Sequence, residues 1–218
     1  MKKIGVFGGT FNPIHRGHEK IAREFYDKFA VDKLLVIPAF VAPHKEIDAQ
    51  VSPSQRFEMC RLAFDSHESD ESGAYKKYNI EVSDIEIKKE GRSYSIDTVT
   101  ALYEIYDRKD NVIYFLIGTD MFLSIESWHR YEELLELCVF VVAYRFDDEA
   151  SRTRILSQRD RLVGRGYKIE LLENAVFEVS STELREKIKT EAKKNDIELC
   201  NYLNKDVIEY INRENLYT

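Results

Sequence analysis

The densest set of chemically useful residues lies at Gly8-Gly9-Thr10-Phe11-Asn12-Pro13-Ile14-His15-Arg16-Gly17-His18. Ile4 to Phe7, just before it, is a nearly continuous apolar run, the pattern of a strand buried on both faces. Gly17 to Phe29, just after it, is amphipathic. Ile21, Phe25 and Phe29 share one helical face, with Lys20, Arg23, Glu24 and Lys28 largely opposite. A glycine pair between strand and helix lets the backbone approach a ligand closely. The N–H groups of Gly8, Gly9, Thr10 and Phe11 are therefore candidates for an anion-binding nest. His15 and His18 sit at the helix N-terminus, where imidazole donors and the helix dipole both favour phosphate oxygens. The loop has neither the GxGxxG spacing of a dinucleotide fingerprint nor the GK[ST] ending of a Walker A loop. A metal-binding histidine pair is the weaker reading, because no third ligand at a zinc-site spacing accompanies it.

Other segments suit a phosphorylated nucleotide. Val179 to Arg185 reads as a strand end, a capping box from Ser180 to Glu183, and a helix start. Its N–H groups, the hydroxyls of Ser181 and Thr182 and the Arg185 guanidinium can converge on the β- and γ-phosphates of a triphosphate. An ordinary capped helix with a solvent-facing arginine is the plainer alternative. Gly118-Thr119-Asp120 follows the buried strand Val112 to Ile117. Glycine there admits a nucleoside, and the Asp120 carboxylate can accept ribose hydroxyl protons or simply cap a helix. His44 and Lys45 follow the second strand, and Lys45 suits either closure over a phosphate or a solvated surface.

These residues need a scaffold, and the composition supplies one. The chain has 218 residues, 44% hydrophobic and 12% aromatic, enough for a core and incompatible with a wholly disordered chain. Its net charge of −7 makes it a poor partner for nucleic-acid backbones. Cys60, Cys138 and Cys200 are too few and too scattered for a disulfide framework or a zinc knuckle, which fits a reducing cytoplasm. The apolar run in MKKIGVFGGTF ends by Gly8, too short for a signal peptide, and Leu34 to Pro43 is far short of a membrane span.

Leu34 to Pro38 is a second buried strand, which makes the first 40 or so residues a right-handed βαβ unit. Ser52, Pro53 and Gln55 open a helix continued by Met59, Leu62 and Ala63. His67 to Lys77 reads as an exposed loop, and Tyr78 to Ile87 as a half-exposed edge strand with a bulge near Ser83-Asp84. Ser95 is expected to cap a helix over Ile96 to Tyr106, with Val99, Leu102 and Tyr106 inward. Helices follow at Tyr131 to Leu137, at Glu149 to Val163, from Ser180, and at Asp206 to Ile211. Strands are expected at Cys138 to Ala143, Tyr167 to Leu172 and Val176 to Val179. The alternation predicts one α/β domain with a mostly parallel sheet.

Gly8 to His18 resembles the HxGH loop of the nucleotidyltransferase superfamily. Pro43-His44-Lys45, Ser93 to Thr98, Gly118-Thr119-Asp120 with Trp128, and Val179 to Arg185 occur in the order seen in the bacterial nicotinate-nucleotide adenylyltransferase family. The likeness reaches the closing Asn215-Leu216-Tyr217. Asn12 stands where that family usually has Asp, and Ser95 where it often has Thr; His67 to Lys77 has no functional counterpart there. The resemblance implies a Rossmann-like fold with helices on both faces. It implies a single nucleotidyltransferase domain over residues 1–218, with an exposed insertion near 67–77 and a small C-terminal helical part from about 181.

It also implies a reaction in NAD biosynthesis: adenylyl transfer from ATP to nicotinate mononucleotide, giving nicotinate adenine dinucleotide and pyrophosphate. His15, His18 and Arg185 would be catalytic. Gly8, Gly9, Thr10, Phe11, Gly118, Asp120, Ser180, Ser181 and Thr182 would bind ATP. His44, Lys45, Ser95, Trp128 and His129 would bind the mononucleotide, with Trp128 stacked on the pyridine and backbone N–H groups near Ser95 and His129 facing its carboxylate. Mg²⁺ would arrive with ATP, with no dedicated protein metal site. The resemblance is compatible with a homo-oligomer. The rival readings are the same chemistry on nicotinamide mononucleotide or phosphopantetheine, cytidylyl transfer, and a non-catalytic nucleotide-sensing module.

Overall fold

Alternating buried runs and amphipathic segments assemble into a sheet whose described pairings are all parallel. The computed structural model describes residues 1–41, 51–65, 78–144, 149–173, 180–191 and 196–217. The strands are β1 (Lys2–Gly9), β2 (Lys33–Pro38), β3 (Ile80–Val82), β4 (Asn111–Gly118), β5 (Cys138–Tyr144) and β6 (Lys168–Glu173). The helices are α1 (Arg16–Phe29), α2 (Pro53–Asp65), α3 (Ile85–Lys89), α4 (Ser95–Ile105), α5 (Thr119–Leu123), α6 (Tyr131–Leu137), α7 (Glu149–Gly164), α8 (Ser181–Glu191), α9 (Asp196–Leu199) and α10 (Lys205–Arg213).

The strand order is β3-β2-β1-β4-β5-β6. The chain moves outward from β1 to one edge, then returns to β4 on the other side of β1. In open α/β sheets this reversal leaves a crevice at the carboxyl ends of the two central strands, where nucleotides bind. Phe7 pairs with Leu116, so the strand ends Gly9 and Gly118 lie level on either side of that crevice.

Each face of the sheet carries its own core. Phe25 of α1, Met59 and Cys60 of α2, Leu184 of α8 and Val207 of α10 cover one face. Val99 of α4, Leu134 of α6 and Ile155 of α7 cover the other. Gly5 permits the close approach of α1: a Cβ there would lie 2.9 Å from the Phe25 ring. The C-terminal helices thus belong to the main core, and α10 buries Val207, Ile208, Tyr210 and Ile211.

Several expectations are met. Ser52 and Gln55 form the reciprocal capping box of α2, at 2.9 and 3.2 Å. Ser180 and Glu183 do the same for α8, at 2.7 and 3.2 Å. Two are corrected. Tyr78 to Ile87 is not one bulged strand: β3 is an edge strand of only three residues, and α3 begins at Ile85. Ser83 and Asp84 break the strand, since the Ser83 hydroxyl accepts from Ile85 N and the Asp84 carbonyl from Lys88 N. Ser95 is the first residue of α4 rather than its cap, and Tyr94 occupies the cap position without a side-chain hydrogen bond. The expected loop over 67–77 and strand over 176–179 lie outside the described residues. Among the described residues, no helix is long and apolar enough to cross a membrane.

Candidate active site

The loop leaving β1 turns sharply. Phe11 has φ 48°, and the Asn12-Pro13 bond is cis. The Phe11 ring folds back over Gly9, where a Cβ would lie 2.8 Å from it, so position 9 tolerates only glycine without a shift. The same ring lies edge-on to Phe7 and to His18, with centroids 5.2 Å away in each case. Phe11 therefore contributes a buried wall behind His18. Gly8, Gly9 and Thr10 remain half-exposed.

His15 occupies the N-cap of α1 in an extended conformation. Its backbone N–H donates to His18 Nδ1 at 3.3 Å, and the two rings pack at a tilt of 33° with centroids 3.7 Å apart. With Nδ1 accepting, neutral His18 carries its proton on Nε2 and presents a single donor there. His15 is buried, and burial pushes its pKa down to about 4 by disfavouring the imidazolium. His15 can therefore serve as a neutral donor near pH 7.

The low pKa of His15 also predicts acid sensitivity. An unfolded histidine takes up its proton near pH 6.5, the folded one only near pH 4. Between those values the unfolded state binds more protons, so stability falls as the pH falls. The loss should approach about 3 kcal/mol by pH 4. Urea denaturation at pH 7 and pH 4 should show it, and the pH-dependent part should shrink in His15→Gln.

Residues distant in sequence converge on this loop. Arg185 Nη1 donates to the Asn12 carbonyl at 2.8 Å and Nη2 to Thr182 Oγ1 at 3.2 Å. The Ser181 hydroxyl donates to the Pro13 carbonyl at 3.0 Å. The N-terminus of α8 is thereby fixed beside the segment that leads into His15, with Ser180 and Thr182 exposed. Arg16 ties the loop to the C-terminal helices through the Tyr202 and Cys200 carbonyls. Asn12 is buried, and its Oδ1 accepts from the Tyr217 hydroxyl at 2.6 Å. That contact needs only an acceptor oxygen, so Asn serves it without burying a negative charge.

Across the crevice, Gly118 and Asp120 are exposed at the end of β4 and the first turn of α5. A second group forms at the start of α4, where the Tyr94 and His129 rings lie 4.7 Å apart. Ser95 and Trp128 are half-buried there, and the indole Nε1 of Trp128 is buried without a partner among the described residues. Arg130 turns aside: its guanidinium holds Glu133 at 2.9 and 2.6 Å. His44 and Lys45 lie outside the described residues.

Sequence reading missed two supports of the site, Tyr217 and Arg56. Arg56 did leave a signal: it falls on the same helical stripe as Met59, Cys60 and Ala63, a charge on a buried face. Among the described residues no cluster of three His, Cys, Asp or Glu side chains is placed to hold a metal ion.

The site can be compared with known proteins. The family model described as cytidylyltransferase-like matches residues 6–187. A Fusobacterium nucleatum protein named "Probable nicotinate-nucleotide adenylyltransferase" is 36% identical over 212 residues, covering 97% of this chain and 98% of that protein. An Oceanobacillus iheyensis protein of the same name is 33% identical over 218 residues, covering 100% and 97%. The fold is similar to that of Plasmodium falciparum nicotinic acid mononucleotide adenylyltransferase solved with NaAD, with a TM-score of 0.73, 23% identity and coverage of 100% and 98%. The parallel sheet with its crevice between β1 and β4, the paired histidines and the extent of these matches lead to one assignment: the chain belongs to the cytidylyltransferase-like family and, within it, to the nicotinate-nucleotide adenylyltransferases.

Proposed function

We propose that the chain transfers the adenylyl group of ATP to nicotinate mononucleotide, forming nicotinate adenine dinucleotide and releasing pyrophosphate. One observation carries this reading: Arg185 and Ser181 are fixed to the Asn12-Pro13 segment, beside the paired histidines and at the strand-order reversal. The names of its relatives agree with it.

The phosphate oxygen of the mononucleotide attacks the α-phosphorus of ATP in line, and the bond from that phosphorus to the bridging oxygen breaks. The electron pair leaves with pyrophosphate. A phosphate whose second pKa lies near 6 is already largely ionised at pH 7, so no general base is required. The protein contributes alignment of two polyanions and donors where charge accumulates. His15 and His18 face the bridging region, while Arg185, Thr182 and the first N–H groups of α8 hold the leaving pyrophosphate. Gly8 and Gly9 leave room beside the phosphates, and Asp120 receives the ribose hydroxyls. Mg²⁺, when present, comes with ATP and neutralises its phosphates. Three unpaired cysteines, two of them buried, suit a reducing cytoplasm as the site of this work.

Pyrophosphate release tests the reading, measured with ATP, Mg²⁺ and each of nicotinate mononucleotide, nicotinamide mononucleotide and phosphopantetheine. Fastest release with the nicotinate form is expected. A preference for another acceptor would overturn the substrate assignment, and release with none of them would favour the sensing module. Arg185→Lys keeps the charge but loses the planar fork. Losing a hydrogen bond to a charged group costs about 1.5–3 kcal/mol, so kcat/KM for ATP should fall about 10- to 100-fold. Affinity for the mononucleotide should barely change. Calorimetry on Arg185→Ala that returned an unaltered ATP affinity would remove Arg185 from the triphosphate site.

A further inference from the structure

We propose that Arg56 is a positioning residue for the transfer reaction: its buried guanidinium sets the spacing between the histidine loop after β1 and the chain leaving β2. The proposal rests on the adenylyltransferase reading and extends it to a residue outside the substrate contacts. Arg56 projects from α2 and is only 4% exposed. Nη1 donates to the Thr10 carbonyl at 2.7 Å. Nη2 donates to the Ala39 carbonyl at 2.6 Å and the Phe40 carbonyl at 3.0 Å. Its hydrogen-bond acceptors are thus main-chain carbonyls on two different strand connections. No carboxylate among the described residues is hydrogen-bonded to it.

Burying a guanidinium carries a desolvation penalty of several kcal/mol, and a hydrophobic residue would complete the stripe of Met59, Cys60 and Ala63 without it. What the apolar residue could not do is grip two backbone segments at once. Arginine does so through a rigid fork; lysine offers a point charge on a flexible stem.

The contacts continue beyond the guanidinium. Ala39 N donates to the Gly9 carbonyl at 2.9 Å, a main-chain link between the same two segments. Phe40 N donates to Ser93 Oγ at 2.9 Å, and Ser93 N to the Val41 carbonyl at 3.0 Å. These lead directly to Tyr94 and Ser95 at the start of α4. A continuous path therefore runs from Thr10, beside the histidines, to the start of α4, beside the Ser95, Trp128 and His129 expected to bind the mononucleotide. The reaction joins two bound polyanions, and a displacement of about 1 Å between them can cost about 100-fold in rate.

Arg56→Met and Arg56→Lys test this, each with kcat, with ATP and mononucleotide affinities measured separately by calorimetry, and with hydrogen exchange in the substrate-free protein. A kcat reduced about 100-fold in Arg56→Met and at least about 10-fold in Arg56→Lys is expected, with each separate affinity within about threefold of the native chain. Exchange should quicken at both Thr10–Phe11 and Ala39–Val41 while the buried turns of α2 stay protected. A folded variant with kcat within about threefold of native would overturn the proposal, as would loss of both affinities with kcat unchanged. If Arg56→Met does not fold, Arg56→Lys decides by the same criteria. An inert native chain would overturn the substrate reading, whereas the exchange measurement needs no substrate and judges the brace alone: unaltered exchange in both segments would sink it.

Discussion

Replacing His18 by Ala should lower kcat by about 10²–10³ and leave ATP binding nearly intact, the usual consequence of deleting one preorganised donor to the transition state. The geometry explains the asymmetry. His18 Nδ1 is already occupied by the His15 backbone N–H, so only Nε2 can face substrate. Its ring is held between His15 and Phe11, with centroids 3.7 and 5.2 Å away. The donor therefore needs little reordering at the moment of reaction. Alanine also strips an acceptor from His15 N, so two further variants separate the roles. Asn places its oxygen near the former Nδ1 and should keep the cap but not the rate. Gln reaches toward the former Nε2 and should recover part of the rate. Full recovery in His18→Asn, or a native rate in His18→Ala, would make His18 a capping residue. A metal role would instead show as inactivation by a chelator, reversed by zinc and not by magnesium.

The sequence made one half of this site legible and hid the other for a physical reason. Glycines after an apolar run, histidines at a helix start and the Ser180–Glu183 capping box are local patterns, readable from spacing alone. The contacts that assemble them are not local. Arg185 reaches Asn12 across 173 positions and Tyr217 reaches it across 205. No periodicity encodes such pairs. Tyr78 to Ile87 failed differently: its alternation of Ile80, Val82, Ile85 and Ile87 fits a strand, but Ser83 and Asp84 offer the backbone local partners, and a helical turn forms instead. Arg56 lies between these cases. Its place on an apolar stripe was visible, but the three carbonyls that justify it are contributed by other segments.

Selectivity for nicotinate over nicotinamide mononucleotide should be large and should survive removal of the nearby cations and of the stacking ring. The two substrates differ by a carboxylate against an amide. A pocket reading that difference with a side-chain charge would need a free cation beside it. Arg130, the nearer candidate by sequence, has its guanidinium engaged by Glu133, and Arg92 is exposed. Ser95 instead sits at the first position of α4, an 11-residue helix whose leading N–H groups favour an anion. On the proposed reading, backbone donors there and at His129 would match both oxygens of a carboxylate. An amide brings its NH₂ where an acceptor is needed. Each buried mismatch costs about 1–3 kcal/mol, so two of them give a ratio of about 10²–10⁴ in kcat/KM. On the proposed reading, Trp128 would stack on either ring and add affinity without discrimination. Trp128→Ala should therefore raise KM for both mononucleotides and leave their ratio within about threefold, and Arg92→Ala and Arg130→Ala should leave it unchanged as well. Steady-state kinetics with both substrates on all three variants checks this, and a collapse of the ratio in either arginine variant would assign the reading to that side chain rather than to the start of α4.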